Sequence, residues 1–176
     1  MEAKKQKVGN YEFLEHTLEP IYDENSKILI LGSFPSVKSR ENNFYYAHLQ
    51  NRFWKVLAYL TKEKLPNSIT EKKELLLKHN IALWDVINSC QIIGSSDSSI
   101  KEVVTNDLQL IIGKSSIEAI YTNGGIADKL YKKYLEKTTG ITATKLPSTS
   151  PANARYSLEK LEKIWQEKIK KDLSKV

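Results

Sequence analysis

Side chains that could bind a polar ligand crowd the segment that follows the first apolar run of the chain. Residues 27–31 form a short β-branched and leucine run, which predicts a buried strand that stops at Gly32 and Pro35. Residues 43–54 then bring Asn, Tyr, His, Gln and Arg side chains together within one short segment. In open α/β sheets, ligands bind beyond the carboxyl ends of the strands, so we expect the chemistry of this protein here.

Three further predicted strands also end in small or polar residues. These strands are residues 80–87, 117–122 and 141–146. Their polar ends are residues 85–90, 122–125 and 147–153. Parallel strands place their carboxyl ends at one edge of a sheet, so we expect all four ends to converge on one site. An aspartate such as Asp85 in a buried strand is costly unless it is paired or functional.

Helical patterns alternate with these strands along the chain. The predicted helices are residues 51–60, 71–79, 106–112, 127–137 and 157–173. Asn106 and Asp107 have the residue types of a helix cap. We expect residues 11–22 to be an irregular lead-in, with His16 as a surface or packing residue, and residues 88–99 to be a long polar loop. The alternation predicts an α/β fold, in which helices cover both faces of a central four-stranded, mostly parallel sheet as a three-layer α/β/α domain.

The composition is that of an ordinary globular protein with a basic surface. Of 176 residues, 40% are apolar and 27% are charged, and the net charge is +6. That surplus suits a polyanionic partner such as nucleic acid, although a lysine-rich surface without such a partner explains it equally well. No apolar run approaches the roughly 18 residues of a membrane span, so we expect a cytoplasmic protein without membrane contact. We expect residues 1–10 to be frayed and residues 11–176 to form one domain.

The sequence also argues against common cofactor and metal chemistries. The turn at Asn123-Gly-Gly could bind phosphate at a helix N-terminus, yet the chain lacks the Gly-x-Gly-x-x-Gly and Gly-x-x-x-x-Gly-Lys-Ser/Thr patterns of nucleotide-binding loops. Histidine, cysteine and acidic residues do not cluster at metal-ligand spacing. The single cysteine, Cys90, allows no internal disulfide, and burial explains it better than a nucleophilic role. We therefore expect neither a cofactor nor a metal.

Five blocks of sequence, taken in order, resemble one enzyme family. The blocks are residues 32–36, 45–54, 83–87 with 94–97, 122–125 and 146–154. Together they resemble the hypoxanthine-DNA (deoxyinosine) glycosylase branch of the uracil-DNA glycosylase superfamily. The resemblance implies a monofunctional enzyme, without cofactor or metal, that flips a deaminated base out of double-stranded DNA and hydrolyses its N-glycosidic bond. It implies a monomer that prefers hypoxanthine. The alternatives are the same fold acting on uracil in mismatches and a nucleic-acid-binding module without chemistry.

The same resemblance suggests catalytic residues, with one departure from the family pattern. Relatives carry an Asn or Asp in the first block that positions the attacking water, whereas this chain has Phe34 there. Asn51 is the candidate replacement, and its amide could hold a water or the edge of a base. His48 could donate a hydrogen bond to the departing base, or it could be a structural histidine. Leu49 stands where a family form of this segment has proline, which loosens the loop.

Five residues are implied as contacts to the flipped base: Phe34, Tyr45, Tyr46, Asp85 and Asn123. Tyr46 stands where mismatch-specific relatives place an aromatic ring that stacks on the base, with Tyr45 beside it. Both tyrosines could instead be core residues with tethered hydroxyl groups. Asp85 stands where the superfamily recognises the base edge, although a helix cap or an ion pair would also explain an aspartate there.

The last block resembles the loop that enters the minor groove and wedges the duplex open. The implied DNA contacts are Ser36, Ser148, Ser150, Pro151, Ala152, Asn153 and Arg155. Serine hydroxyl and backbone N–H groups suit phosphate oxygens, while Pro151 and Ala152 are small enough to insert. Arg155, Arg52 and Lys38 are expected to neutralise phosphates, which would make binding depend on salt. Without the resemblance, this block could equally be a plain connector between a strand and a helix.

Overall fold

The computed structural model describes residues 10–173, so the fraying expected for the first ten residues lies, apart from Asn10, outside the described residues. The strands are β1 Glu12–Glu15, β2 Ile28–Gly32, β3 Ile81–Asp85, β4 Ile87–Ile92, β5 Lys101–Thr105, β6 Ala119–Asn123 and β7 Thr144–Leu146. The helices are α1 Val37–Glu41, α2 Phe53–Thr61, α3 Ile69–Lys78, α4 Gln109–Ile112, α5 Gly125–Tyr134, α6 Glu136–Thr139 and α7 Leu158–Leu173. Asp97–Ser99 forms one 3₁₀ turn.

Four strands form the parallel sheet that the alternating pattern predicts, in the order β3-β2-β6-β7. Every residue of β2 is buried, and since alternate side chains point to opposite faces, both faces of this strand are covered. The register places Gly32 opposite Asp85, and Asn123 opposite Leu146. The carboxyl ends therefore align at one edge, and the α/β prediction with helices flanking a four-stranded parallel sheet is confirmed.

A second, antiparallel sheet of β1, β4 and β5 was not predicted. The predictions of an irregular lead-in over residues 11–22 and a polar loop over residues 88–99 are both wrong in part. β1 pairs with β4 from Glu12 opposite Ile92 to Glu15 opposite Ser89. These strands are short and mostly polar, and β4 pairs with β5 through two register shifts, so an alternating apolar pattern is scarcely visible in the sequence.

The strand predicted over residues 80–87 is present as β3, but it ends at Asp85, and Val86 then leads from the parallel sheet into β4 of the antiparallel sheet. The Val86 N–H donates to the Gly32 carbonyl (2.9 Å), and the chain then continues into β4. Asn106, predicted as a helix cap, is instead buried, and its Nδ2 donates to the carbonyls of Asp85 (2.9 Å) and Ile87 (3.1 Å). Asp107 precedes the N-cap residue, Leu108, and its Oδ1 accepts from the Gln109 N–H (3.0 Å) at the start of α4. Asn106 therefore holds the passage that presents Asp85.

Helix α7 packs against α2 and against β7. Trp165 of α7 is fully buried, and its Nε1 donates to the Pro147 carbonyl (2.9 Å). This hydrogen bond ties α7 to the start of the loop that follows β7. Cys90 of β4 is fully buried, as its residue type predicted, and burial raises the pKa of its thiol.

Candidate active site

A cavity of about 1320 Å³ opens at the edge where the parallel strands end. The last residues of β2, β3, β6 and β7 all line it: Gly32, Asp85, Asn123 and Leu146. The proposed catalytic and base-binding residues all line it as well, and so do the proposed DNA contacts except Arg52. The structure therefore brings the predicted residues together, while their local geometry decides what each could do.

Three neutral side chains from distant parts of the chain form one hydrogen-bonded series, which we call the amide wall: Asn123, Thr149 and Asn51. Asn123 Nδ2 donates to Thr149 Oγ1 (3.0 Å), which in turn donates to Asn51 Oδ1 (2.9 Å). The Thr149 N–H donates to Asn123 Oδ1 (3.1 Å). Thr149 is fully buried, and sequence reasoning did not single it out from its serine neighbours. The amide wall joins the end of β6 to the start of α2.

The amide wall fixes the orientation of Asn51. Its Oδ1 accepts a second hydrogen bond from the Phe53 N–H (3.0 Å), in the first turn of α2. Two donors occupy both lone pairs of that oxygen, so the amide cannot turn over without losing them. Asn51 Nδ2 has no hydrogen bond to another residue in the range 10–173 and is not sealed from the cavity. Asn51 can therefore donate to an oxygen or nitrogen of a ligand, but its oxygen is not free to orient a water.

The loop before Asn51 presents His48 to the cavity. His48 Nδ1 accepts from the Gln50 N–H (3.1 Å), so the proton of the neutral ring lies on Nε2. The Nε2–H group is thereby a potential donor to a ligand, and the ring is also held in place by its own loop. Leu49, in the position of the family proline, is 95% exposed, so this loop lacks both the proline and a packed side chain.

The three aromatic residues of the site differ in how they are held. Tyr45 is buried, and its hydroxyl donates to the Glu19 carbonyl (2.8 Å), which matches the alternative of a tethered core tyrosine. Tyr46 stacks on Phe53 with ring centroids 4.0 Å apart, and its backbone has a φ of 51°. The Tyr46 hydroxyl is buried and makes no hydrogen bond of good geometry to residues 10–173. Burial, then Asp85, raise its pKa, and the nearby Asn123 side chain opposes that rise. Phe34 lies with its ring 5.8 Å from the Arg40 guanidinium.

Two aspartates that also line the cavity form what we call the carboxylate wall: Asp85 and Asp97. Asp85 ends β3, and Asp97 begins the 3₁₀ turn between β4 and β5. Ser33 Oγ donates to Asp97 Oδ2 (2.8 Å). Burial raises the pKa of Asp97, the Ser33 hydrogen bond opposes that rise, and the nearby Asp85 adds to it. Asp97 was part of a family block but was not proposed as a site residue.

His16 is the partner of Asp85 that the sequence did not indicate. His16 Nε2 lies 2.8 Å from Asp85 Oδ2, and the two side chains are 1% and 5% exposed. Of the alternatives for Asp85, the ion pair is thus present, and Oδ1 receives no hydrogen bond from the described residues, 10–173. Oδ1 lies above Gly32, where an added Cβ would overlap it and would come within 2.9 Å of Tyr46 Oη. Glycine is required at this strand end because any side chain would displace the carboxylate.

Arg52 holds the loop over residues 147–156 by hydrogen bonds to its backbone carbonyls. The Arg52 guanidinium donates to the carbonyls of Ser150 (2.7 Å), Asn153 (3.2 Å) and Thr149 (3.3 Å), and also to that of Tyr156. The prediction that Arg52 neutralises a phosphate is therefore wrong: its donors are used within the protein. A planar guanidinium can satisfy several carbonyls at once, which explains why arginine stands here.

The remaining predicted DNA contacts are partly occupied and partly free. Ser148 Oγ accepts from the Ser150 N–H (3.1 Å), and Asn153 Nδ2 donates to the Ser148 carbonyl (3.0 Å). Ser36 Oγ caps α1 by accepting from the Ser39 N–H (3.2 Å). Pro151, Ala152 and Arg155 are exposed at the tip of the loop, and Lys38 pairs with Glu41 in an exposed salt bridge (2.9 Å). These four residues can reach a ligand without losing internal contacts of much value.

Comparisons with known proteins agree with this architecture. Residues 19–169 match the uracil DNA glycosylase superfamily. A hypoxanthine DNA glycosylase of Methanosarcina acetivorans is 38% identical over 150 residues, which cover 83% of this chain and 92% of the relative. One of Methanosarcina barkeri is 32% identical over 154 residues, covering 86% and 96%. The solution NMR structure of an M. acetivorans protein described as a candidate uracil DNA glycosylase gives a TM-score of 0.72 at 31% identity, covering 89% of this chain and 98% of that one.

The chain belongs to the uracil DNA glycosylase superfamily, as its sequence blocks predicted. It is a DNA glycosylase, an enzyme that acts on DNA. Within residues 10–173, no helix is long and apolar enough to cross a membrane. Nor does that part of the chain bring three or more His, Cys, Asp or Glu side chains together in a metal-binding arrangement.

Proposed function

We propose that this protein is a hypoxanthine-DNA glycosylase that flips deoxyinosine out of double-stranded DNA and hydrolyses its N-glycosidic bond without a metal. The names of the two Methanosarcina relatives support the substrate. The structural observation that carries the proposal is the unpaired Oδ1 of Asp85 at the end of β3. Deamination of adenine replaces a ring nitrogen acceptor at N1 by an N–H donor, and a carboxylate oxygen accepts from that donor and repels the acceptor.

The neighbouring hydroxyl of Tyr46 strengthens this assignment. It lies beside Asp85 Oδ1 above Gly32 and has no hydrogen-bond partner among the described residues. A buried donor without a partner costs about 1–3 kcal/mol, which a ligand acceptor recovers once the side chain adjusts to meet it. The carbonyl of hypoxanthine is adjacent to its N1–H, so one base edge can serve both Asp85 and Tyr46.

In the proposed reaction, the bond between C1′ and N9 breaks with its electron pair going to the base, and a water oxygen adds to C1′. Asn51 Nδ2–H and His48 Nε2–H are the free donors that would stabilise the charge on the departing base. A single preorganised donor of this kind contributes on the order of 10²–10³ in rate. The base receives a proton, and the water loses one to solvent, so the products are free hypoxanthine and an abasic deoxyribose.

The exposed tip of the loop over residues 147–156 is the proposed wedge. Pro151 and Ala152 would enter the space left by the flipped base, while Arg155 and Lys38 would contact phosphates. The net charge of +6 favours binding to DNA at low salt. We infer that a monomer suffices, because one chain supplies both walls and the loop.

Uracil is a second candidate base, since its N3–H and O4 present the same edge to Asp85 and Tyr46. Purified protein should be incubated with duplexes that carry a single inosine, uracil, xanthine, adenine, guanine or thymine, and abasic sites should then be cleaved with alkali. We expect cleavage on inosine above all other bases, with and without a chelator. Retained duplex binding without alkali-labile sites on any of these bases would refute the proposed function.

A further inference from the structure

The two oxygens of the Asp85 carboxylate have different surroundings. Oδ2 is occupied by His16 Nε2 at 2.8 Å, and both side chains are almost wholly buried. Oδ1 has no hydrogen bond to any residue in the range 10–173 and lies at the cavity above Gly32. Asp85 therefore offers a ligand one carboxylate oxygen, where an unpartnered aspartate would offer two.

Both the backbone and the ring of His16 are held in place by neighbouring residues. The His16 N–H donates to the Asn88 carbonyl (2.6 Å) at the end of the pairing between β1 and β4. Its ring meets Phe34 edge-on (6.0 Å between centroids, 79°) and Trp84 in the same manner (6.4 Å, 89°). Backbone and ring are both held, so the imidazole cannot leave Asp85 Oδ2 without disturbing the antiparallel sheet.

A carboxylate with one free oxygen and a carboxylate with two free oxygens favour different purines. Hypoxanthine presents a single donor, N1–H, on the side of its carbonyl. Guanine presents the same N1–H with an amino group beside it, and two parallel N–H donors match a carboxylate with two free oxygens. With Oδ2 occupied, Asp85 cannot accept from the guanine amino group, and the loss of that hydrogen bond on burial carries a roughly tenfold to hundredfold penalty.

We propose that His16 is a specificity-determining residue: by occupying Asp85 Oδ2, it restricts Asp85 to a single lactam N–H and so rejects guanine. Guanine is the undamaged purine that shares the lactam edge of hypoxanthine, and DNA contains it in great excess over any deaminated base. A site that reads this edge therefore needs a means to refuse guanine. The inference rests on the proposed function, because it assumes that a purine edge meets Asp85.

Substitution of His16 by Gln, Asn or Ala distinguishes the effect of its hydrogen bond from the effect of its side-chain volume. The amide nitrogen of Gln can reach the place of imidazole Nε2, whereas that of Asn reaches only the place of Nδ1. His16→Gln should thus keep the bond to Asp85, and His16→Asn and His16→Ala should lose it. His79→Ala is the matched control, since His79 pairs with Glu63 (3.1 Å) away from the cavity. Thermal melting identifies any variant that does not fold.

Two ratios are measured for each variant: the excision rate on guanine relative to that on hypoxanthine, and the affinity for guanine relative to that for hypoxanthine. Single-turnover excision is compared on duplexes carrying inosine or guanine opposite thymine. Equilibrium affinity is compared on the same duplexes made uncleavable by 2′-fluorination. We expect His16→Asn and His16→Ala to shift both ratios toward guanine by at least tenfold, while His16→Gln and His79→Ala keep the wild-type ratios.

The outcomes distinguish this inference from the proposed function. Absence of inosine excision by the wild-type protein would refute the function, yet the affinity ratios would still test His16. Unchanged ratios in a folded His16→Asn or His16→Ala protein would refute the inference, even if inosine excision is strong. Equal losses on both bases would also refute it, because they would show that His16 only supports the fold. A shifted ratio in His16→Gln would contradict the role of the hydrogen bond.

Discussion

The two walls of the cavity are built from different chemistry. The amide wall of Asn51, Thr149 and Asn123 contains no ionisable group, and each member is held by the next. The carboxylate wall of Asp85 and Asp97 presents acids, each of which has one oxygen engaged by a partner. We infer a division of labour in which the amide wall supplies donors to the reacting bond and the carboxylate wall reads the base.

The supports of the two walls differ as well. The amide wall joins elements of the parallel sheet, where strand ends converge by topology. The carboxylate wall depends on the passage from β3 to β4 and on the antiparallel sheet, which brings His16 to Asp85 from far away in the chain. Changes to the amide wall should therefore lower the rate, whereas changes to the carboxylate wall should alter which base is accepted.

The largest effect should come from Asn51. Asn51→Ala removes the free donor of the amide wall, and we expect inosine excision to fall by about 10²–10³-fold while duplex affinity changes little. Single-turnover excision and fluorescence anisotropy measure the two quantities. Asn42→Ala, at the exposed end of α1, is the control. Equal rates in both variants would place the reacting donor elsewhere.

Thr149 should matter because it orients Asn51. Thr149→Val keeps the shape of the side chain but removes the hydroxyl between Asn123 and Asn51, and we expect roughly a 10–100-fold loss in excision. Thr149→Ser retains the hydroxyl and should restore most of the rate. A Val variant as active as the Ser variant would show that the amide wall is not one unit.

A smaller loss of excision is expected when the loop over residues 147–156 loses its hydrogen bonds to Arg52. Arg52→Lys keeps the charge but cannot donate to four carbonyls, so we expect a loss of about 1–3 kcal/mol in the free energy of unfolding. Excision should fall roughly tenfold. The dependence of duplex affinity on salt should stay as in the wild type, and Arg155→Ala should reduce its slope by about one. A wild-type free energy of unfolding in Arg52→Lys would contradict the role given to the carbonyl contacts.

Asp97 should produce the smallest effect, and one that depends on pH. Its pKa is raised in the folded protein, mainly by burial, so the folded state favours the protonated acid. This contribution to stability is present below the ordinary aspartate pKa of about 4 and is lost as the pH rises through the raised value. Asp97→Asn should therefore raise the melting temperature at neutral pH and not at acidic pH. A gain of equal size at both would contradict the assignment.

The same contrast explains how much the sequence could predict. The strand at residues 27–31 and the polar ends after each parallel strand were visible because apolar runs and turn residues are local signals. The amide wall was half visible: Asn51 and Asn123 were proposed, but Thr149 is defined only by the folding of its loop onto Asn51.

The carboxylate wall was harder to predict. Asp85 was noticed because an acid in a buried strand is unusual. Its partner His16 lies on an exposed lead-in whose pairing with β4 has no local signature, and the contact joins residues 69 positions apart. Arg52 was misread for a related reason: an arginine in a basic protein suggests phosphate, whereas its true partners are backbone carbonyls that no sequence pattern reveals.

The most direct test of the account is to identify what leaves an inosine-containing duplex. After single-turnover incubation in the presence of a chelator, the small-molecule fraction is separated by chromatography and the strand is analysed before and after alkali. We expect free hypoxanthine in an amount equal to the alkali-labile sites, with the strand intact until alkali is added. Strand cleavage before alkali, or release of inosine as a nucleoside or nucleotide, would contradict it.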